Sequence, residues 1–308
     1  MATSKPTDTK VVAGQTTLGK RNRTSFKVWL RTKGWRHAVM WVALAFALYP
    51  VLWMVSAAFN TFNTLGASNL IPSSVTLDNF KELFTNPLLP VGRWLWNSFY
   101  IAFVVATIQV GMSASAAFAF SRLEWRGRRA GLLIVLLIQV FPQYLAFVAI
   151  LLLVRGIGDV FAIAGLNTHL GLILVYLGGS IGINTWLIKG FMDTIPFSLD
   201  EAAVVDGAST FDIFYRVVLP LTRPVLGVVF IITFVFIYGE YILASVLLSD
   251  TNLYTLPRGL FLMISDSYTA NWGGLAAASV LASIPVIAVY IPMQDQLVGG
   301  LTSGAVKG

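Results

Sequence analysis

Six stretches of the chain, 38–58, 95–120, 130–154, 170–188, 224–248 and 275–293, are apolar over about the length that a helix needs to cross a bilayer, which is roughly 20 residues. Polar segments separate them, and Glu240, in the fifth, is the only charged residue in any of them. The pattern predicts an all-α membrane protein with six transmembrane helices. An even number of crossings puts both termini on one side.

The polar segment 196–224 carries helix signals of its own. Ser198 followed three residues later by Glu201 is a capping-box pattern, so a helix is expected to start at Leu199, run through Ala202, Ala203, Val204 and Val205, and end at Gly207. Ser209 with Asp212 repeats the signal in weaker form. Pro220 lacks an N–H and crowds the preceding turn, so it is expected to stop the second helix. Each arm of this knuckle has little more than two turns, and helices that short are marginal in water, so the knuckle is expected to need a surface to dock on. Ala202 and Ala203 keep one face low for close approach, and Glu201 offers a carboxylate to a cationic partner. On the residues alone, an amphipathic loop lying on the membrane or on its own bundle is equally compatible.

Lysine and arginine fix the expected sidedness. Residues 1–36 carry Lys5, Lys10, Lys20, Arg21, Arg23, Lys27, Arg31, Lys33 and Arg36; with Arg122, Arg126, Arg128, Arg129, Lys189, Arg216, Arg223 and Lys307 they make seventeen of the 21 basic residues, on the side of the termini. Only Lys81, Arg93, Arg155 and Arg258 lie opposite. The imbalance predicts cytoplasmic termini and a cytoplasmic 196–224 knuckle. Trp94, Trp96, Tyr268 and Trp272 suit an aromatic belt at the outer interface, and the outward segments 60–94 and 249–274 are long enough to contact something outside.

Composition agrees: 56% hydrophobic, 11% charged, mean hydropathy +0.76 over 308 residues. The net charge of +7 reports cytoplasmic loops and lipid contact rather than nucleic acid. The absence of cysteine excludes disulfides, thiol chemistry and cysteine metal sites. The run from Gly14 to Lys20 nearly spells a phosphate-binding loop, but Arg21 stands where Ser or Thr would hold magnesium, and no strand-loop-helix pattern surrounds it. A cleavable signal peptide is disfavoured because the basic region is long and the first apolar stretch exceeds an h-region. His37 and His169 lie near span ends, and the spans hold no HExxH, nucleophile elbow or paired carboxylates, so neither a catalytic residue nor a metal site is expected.

Inside the membrane a carboxylate costs about 2.5 to 3.5 kcal/mol on insertion scales. Glu240 is therefore expected to face a cavity or a partner helix, as pathway lining, a gate contact or a hydrogen-bonded packing residue. Pro142 should kink the third span, Gly178 and Gly182 form a small-xxx-small pattern for helix packing in the fourth, and Gln109, Gln139 and Asn184 either line a polar path or bridge helices.

Glu201, Ala202, Ala203, Gly207, Ile213, Leu219 and Pro220 match in type and spacing the EAA loop of the permeases of binding-protein-dependent (type I) ABC importers, and the chain resembles that family. The residues from Leu247 to Leu256 and the ending from Leu297 to Gly308 look like MalG-type maltose and maltodextrin permeases. The resemblance covers about 38–308 and implies the MetI-like permease fold. It divides the chain into a basic tail (1–36), a first transmembrane helix with its outer loop (37–94), a permease core (95–293) and a C-terminal tail (294–308). It also implies a multi-pass protein of the bacterial inner membrane that binds no cofactor itself, working with a second homologous permease, two ATPase subunits that hold ATP and Mg, and an extracytoplasmic sugar-binding protein. The EAA loop would couple to the ATPases, Asn252, Leu253, Tyr254, Thr255 and Leu256 would meet the binding protein, and Ser303, Gly304 and Lys307 would touch the ATPases. Maltose, maltodextrins and trehalose are all compatible. A stand-alone secondary transporter or channel is the alternative, weakened by the single intramembrane charge.

Overall fold

The computed structural model describes residues 33–61, 72, 74–140, 143–179, 181–265 and 271–294. Most of the basic tail, Pro142, Tyr268 and the C-terminal Ser303, Gly304 and Lys307 lie outside the described residues.

The described chain is helical, with a lone antiparallel bridge between Asn60 and Val75. Its helices are α1 (Trp35–Ala58), α2 (Asp78–Thr85), α3 (Val91–Arg122), α4 (Arg128–Val140), α5 (Phe147–Val160), α6 (His169–Leu177), α7 (Ile181–Met192), α8 (Ser198–Val205), α9 (Thr210–Leu221), α10 (Arg223–Tyr238), α11 (Ile242–Leu247), α12 (Leu256–Ile264) and α13 (Trp272–Tyr290). Two compact units divide at Val51 and Leu52. In the first, α1 exposes Val39, Trp41, Val42 and Phe46. In the second, α4 buries no residue and exposes Leu133, Ile134, Leu137 and Ile138. Apolar side chains outermost are what a chain solvated by hydrocarbon presents.

The second unit is built on α3. Its inward face runs through Ser98, Ala102, Val105, Gln109, Ser113, Ala117 and Ser121, one residue every three or four positions, all buried. Small side chains at that spacing let α10 and α7 approach closely. Trp94, Ile101, Phe234, Leu172 and Leu256 fill a large core toward the start of α3; Ala117, Phe118, Ile188, Met192, Ile213 and Val218 form a second core at its other end.

Among the described residues three helices, α1, α3 and α13, are long and apolar enough to cross a membrane unbroken, and the number rises to five only if each of two bent pairs, α6 with α7 and α9 with α10, counts as one span. The other predicted spans are interrupted. The fourth divides into α6 and α7, and side chains from neighbouring helices satisfy carbonyls at the break: Gln109 Nε2 donates to Tyr176 O (2.6 Å) and Gln139 Nε2 to Gly179 O (2.6 Å). Asn184 Nδ2 donates to Thr233 Oγ1 (3.2 Å). All three polar residues thus bridge helices. Gly178 and Gly182 do not share one helical face, because Gly178 lies in the break. Gly182 alone is at a close approach, where an added Cβ would stand 2.8 Å from Val135 O.

Candidate functional site

The knuckle predicted at 196–224 exists, with its signals exchanged. α8 begins at Ser198 itself, with Phe197 as N-cap and no side-chain cap. Leu199 N donates to Pro196 O (3.3 Å), and Asp200 N and Glu201 N donate to Phe197 O (2.9 and 3.0 Å). Backbone carbonyls already accept those amides, so the Ser198–Glu201 box does not form and the helix starts one residue early. The weaker-looking pair carries the reciprocal box: Ser209 Oγ accepts from Asp212 N (3.2 Å), and Asp212 Oδ2 accepts from Ser209 N (3.2 Å). The Ser209 hydroxyl also donates to Asp212 Oδ2 (2.5 Å); that bond, the largest influence, and the one from Ser209 N hold the Asp212 carboxyl below its usual range, with Arg216 adding to the effect. The cap is therefore complete at neutral pH and is lost only as pH falls through that lowered value. Ser209→Ala should speed amide exchange at the start of α9 roughly fivefold, whereas Ser198→Ala should leave α8 unchanged, as exchange mass spectrometry would show.

Gly207 ends α8 as expected. Its φ is +82°, Gly207 N donates to Val204 O (3.0 Å) and Ala208 N to Ala203 O (2.9 Å), the paired bonds of a Schellman cap. Pro220 does not stop the second arm. Residues 213–218 wind as a π-helix, Leu219 N reaches back to Phe214 O, and helix continues to Leu221 before a 75° bend at Thr222. The wider turn moves away the carbonyl that the proline ring would strike and needs no donor from it.

The sequence did not single out the anchor of this knuckle. Arg122, the last residue of α3, places Nε 2.9 Å from Asp200 Oδ2, with both side chains largely buried. Its Nη2 donates to Ile195 O (2.9 Å), and its Cζ lies 4.2 Å over the Phe197 ring. One cation thus grips the entry, cap and first turn of α8. The ion pair is close but poorly aimed: Arg122 Nε and Nη1 and Asp200 Oδ1 are buried without hydrogen bonds. Burial, the largest influence, pushes the Asp200 carboxyl up despite Arg122, and the charge of Glu201 adds to the rise. Ser121 Oγ donates to Asp193 Oδ1 (2.7 Å), and Lys189 pairs with the same carboxylate (2.5 Å). The only sequence signal for Arg122 was its basic charge at a span end.

The remaining knuckle surface is left uncovered by the other described residues. Glu201, Ala202, Val204 and Val205 are exposed; Phe211 and Tyr215 stack at 6.0 Å and are also exposed. Ile213 is buried, Ala203, Leu219 and Pro220 partly so. Between the arms lies a cleft of about 480 Å³, lined by Phe118, Arg122, Phe197, Glu201, Val205 and Ile213 among others. The exposed surface thus combines Val, Phe and Tyr side chains with an acidic first turn on two short helices.

Glu240 sits where the fifth predicted span breaks, between α10 and α11, and is buried. Its carboxylate accepts from Leu243 N (2.8 Å), Ala244 N (3.2 Å) and Tyr176 Oη (2.5 Å). It stands in for the intrahelical acceptors that the start of α11 lacks and ties that start to the end of α6. The arrangement is that of a hydrogen-bonded packing residue.

The 252–256 stretch is folded against α3. Asn252 is exposed and Leu253 partly so, while Tyr254, Thr255 and Leu256 are buried. Of the five, Asn252 displays most surface. No group of three or more His, Asp or Glu with metal-ligand geometry occurs among the described residues.

This geometry, with apolar side chains facing outward, broken spans stitched by side chains and a braced polar knuckle, is that of a membrane component. Residues 109–302 match the family of the inner membrane components of binding-protein-dependent transport systems, and the chain belongs to that family. It is a permease subunit without catalytic activity of its own. It is 40% identical over 296 residues to the maltose/maltodextrin transport system permease protein MalG of Vibrio parahaemolyticus, covering 92% of this chain and 97% of the relative. To the galactooligosaccharides transport system permease protein GanQ of Bacillus subtilis it is 39% identical over 262 residues, covering 85% and 90%. Its fold is similar to one in the crystal structure of a bacterial ABC transporter that imports the acidic polysaccharide alginate, with a TM-score of 0.69 at 22% identity, covering 87% of this chain and 97% of that one.

Proposed function

We propose that the chain is a transmembrane subunit of an ATP-driven importer of maltose, maltodextrin or a related oligosaccharide, spanning the bacterial inner membrane six times with both termini in the cytoplasm. In this reading the 196–224 knuckle is the EAA coupling loop. It seats in an ATPase subunit that holds ATP and Mg, moves with that subunit as ATP binds, and drives the spans between inward and outward access beside a second, homologous permease. An extracytoplasmic binding protein delivers the sugar against the side that carries Asn252, and the tail with Ser303, Gly304 and Lys307 returns to the ATPases. The identity of the sugar rests on the relatives' substrates, maltose, maltodextrins and galactooligosaccharides.

The observation that carries this reading is the knuckle itself: an exposed apolar and acidic cap held at the end of α3 by a buried ion pair. The stand-alone transporter has less support, since all three bonds to the single intramembrane carboxylate, Glu240, are internal to the fold. Ala203→Cys, placed in a chain that has no other cysteine, is expected to cross-link in native vesicles to a protein with nucleotide-binding motifs, and to do so differently with and without ATP. Cross-linking to lipid alone would sink the proposal. Gly207→Pro, which forbids the positive φ of the α8 cap, is expected to abolish uptake in whole cells while the protein still reaches the membrane.

A further inference from the structure

The segment from Ser249 to Tyr254 has little regular structure, only the 3₁₀ turn Thr251–Leu253, yet its backbone is held from outside at nearly every position. Four consecutive carbonyls accept side-chain donors from other elements. Trp94 Nε1 reaches Thr251 O (2.6 Å), Asn97 Nδ2 reaches both Asn252 O and Tyr254 O (3.0 Å each), and His169 Nε2 bonds Leu253 O (2.7 Å). A carbonyl only accepts, so Nε2 carries the imidazole proton, and Nδ1 accepts from the Tyr100 hydroxyl. On the donor side, Ser249 N and Asp250 N both give to Asn167 Oδ1 (2.9 Å each).

Asn167 is unusual in its own right. Its φ is +56°, the only positive value at a non-glycine among the described residues. That backbone conformation is sparsely populated, and asparagine tolerates it better than most residues. Asn167 N also donates to Leu247 O (2.8 Å), so one strained residue makes three bonds across to the 247–250 stretch. Ser249, Asp250 and Asn252 stay exposed, and of these the Asn252 side chain is itself held, its Oδ1 accepting from Arg93 Nη1 (2.9 Å) and its Nδ2 donating to Asp250 Oδ1 (3.2 Å). A loop that needed only to connect two helices would not require this bracing. Backbone strain kept at one position, with a backbone bonded at nearly every position beside it, is how a recognition surface is set before its partner arrives.

We propose that Asn167 and His169 are positioning residues that hold 249–254 as a preformed rim presenting Asn252, so that the solute-binding protein docks on a rigid surface and loses little entropy in doing so. This rests on the function proposed above. The test uses the complete transporter, both permeases with the ATPases in liposomes, and reads ATPase rate against the concentration of its sugar-loaded binding protein. Asn167→Gly permits the same backbone conformation and removes the acceptor; Asn167→Asp keeps the acceptor. Asn167→Gly is expected to raise the half-saturating concentration of binding protein roughly five- to tenfold with the maximal rate within about twofold, Asn167→Asp to stay near the parent, and His169→Ala to follow Asn167→Gly, with His169→Gln recovering part of the loss. An unchanged half-saturation in Asn167→Gly, or a fall in maximal rate alone, overturns the proposal. If the parent transporter is not stimulated by a binding protein at all, it is the functional reading that fails. A second measurement does not depend on transport: a nitroxide at Ser249→Cys, in a chain without other cysteines, is expected to be motionally restricted in the parent and to sharpen in Asn167→Gly. Equally sharp spectra in both would remove the rigid rim.

Discussion

Arg122→Met is expected to abolish uptake and to destabilise the knuckle by about 3 to 5 kcal/mol, the loss that follows when one partner of a buried ion pair is removed and the other charge is left behind. The guanidinium holds Asp200 at 2.9 Å, the Ile195 carbonyl and the Phe197 ring together, so its removal frees the entry to α8 as well as stranding a carboxylate. Methionine preserves much of the apolar stem, which isolates the effect of charge. The companion Arg122→Met/Asp200→Leu separates two explanations. If the pair matters only because neither charge tolerates being alone, the double variant recovers most of the stability, since apolar replacements of buried pairs are often neutral. If the grip on Ile195 O and Phe197 is what seats the knuckle, stability returns and uptake does not. Thermal unfolding of the purified transporter and sugar uptake in cells measure the two quantities independently.

Glu240→Ala is the second large effect. It leaves Leu243 N, Ala244 N and the Tyr176 hydroxyl without this acceptor in a site that excludes water, and each unmet donor costs about 1 to 3 kcal/mol. Loss of folded protein from the membrane is the expected outcome. Glu240→Gln keeps an amide oxygen for the α11 amides and is expected to retain most of the uptake if accepting these bonds is what the side chain does. Uptake lost in Glu240→Gln while protein level holds would show instead that the charge itself serves the transport path.

Much of this fold is legible in the chain because hydrocarbon imposes a simple rule: about 20 apolar residues per crossing. The rule located α1, α3 and α13 to within a few residues, and the interspersed polar segment exposed the knuckle. What it does not see are interruptions. An averaging window passes over Gly239, Glu240 and Tyr241, or over Gly178 and Gly179, because two or three polar or small residues barely alter the mean, although each break needs dedicated partners such as Gln109, Gln139 and Glu240. Capping was misread for a local reason: Ser198 follows Pro196 and Phe197, whose carbonyls already accept the first amides of α8, while Ser209 follows the positive-φ Gly207 and so stands free to cap. Pro220 was read with α-helical geometry, and the π-turn that accommodates it leaves no mark in composition. Arg122, Asn167 and His169 act through partners up to 84 positions away, and such pairings are not written in any local spacing.

α3 is an unbroken helix of 32 residues, a rod of roughly 48 Å at the usual rise per residue. Its last side chain, Arg122, grips α8; its first turns, through Trp94, Asn97 and Ser98, carry the 251–256 segment. No proline or bulge divides them. A tilt of this single beam would therefore carry α8 and the 251–256 segment in one stroke, without any chain of intervening hinges to relay it.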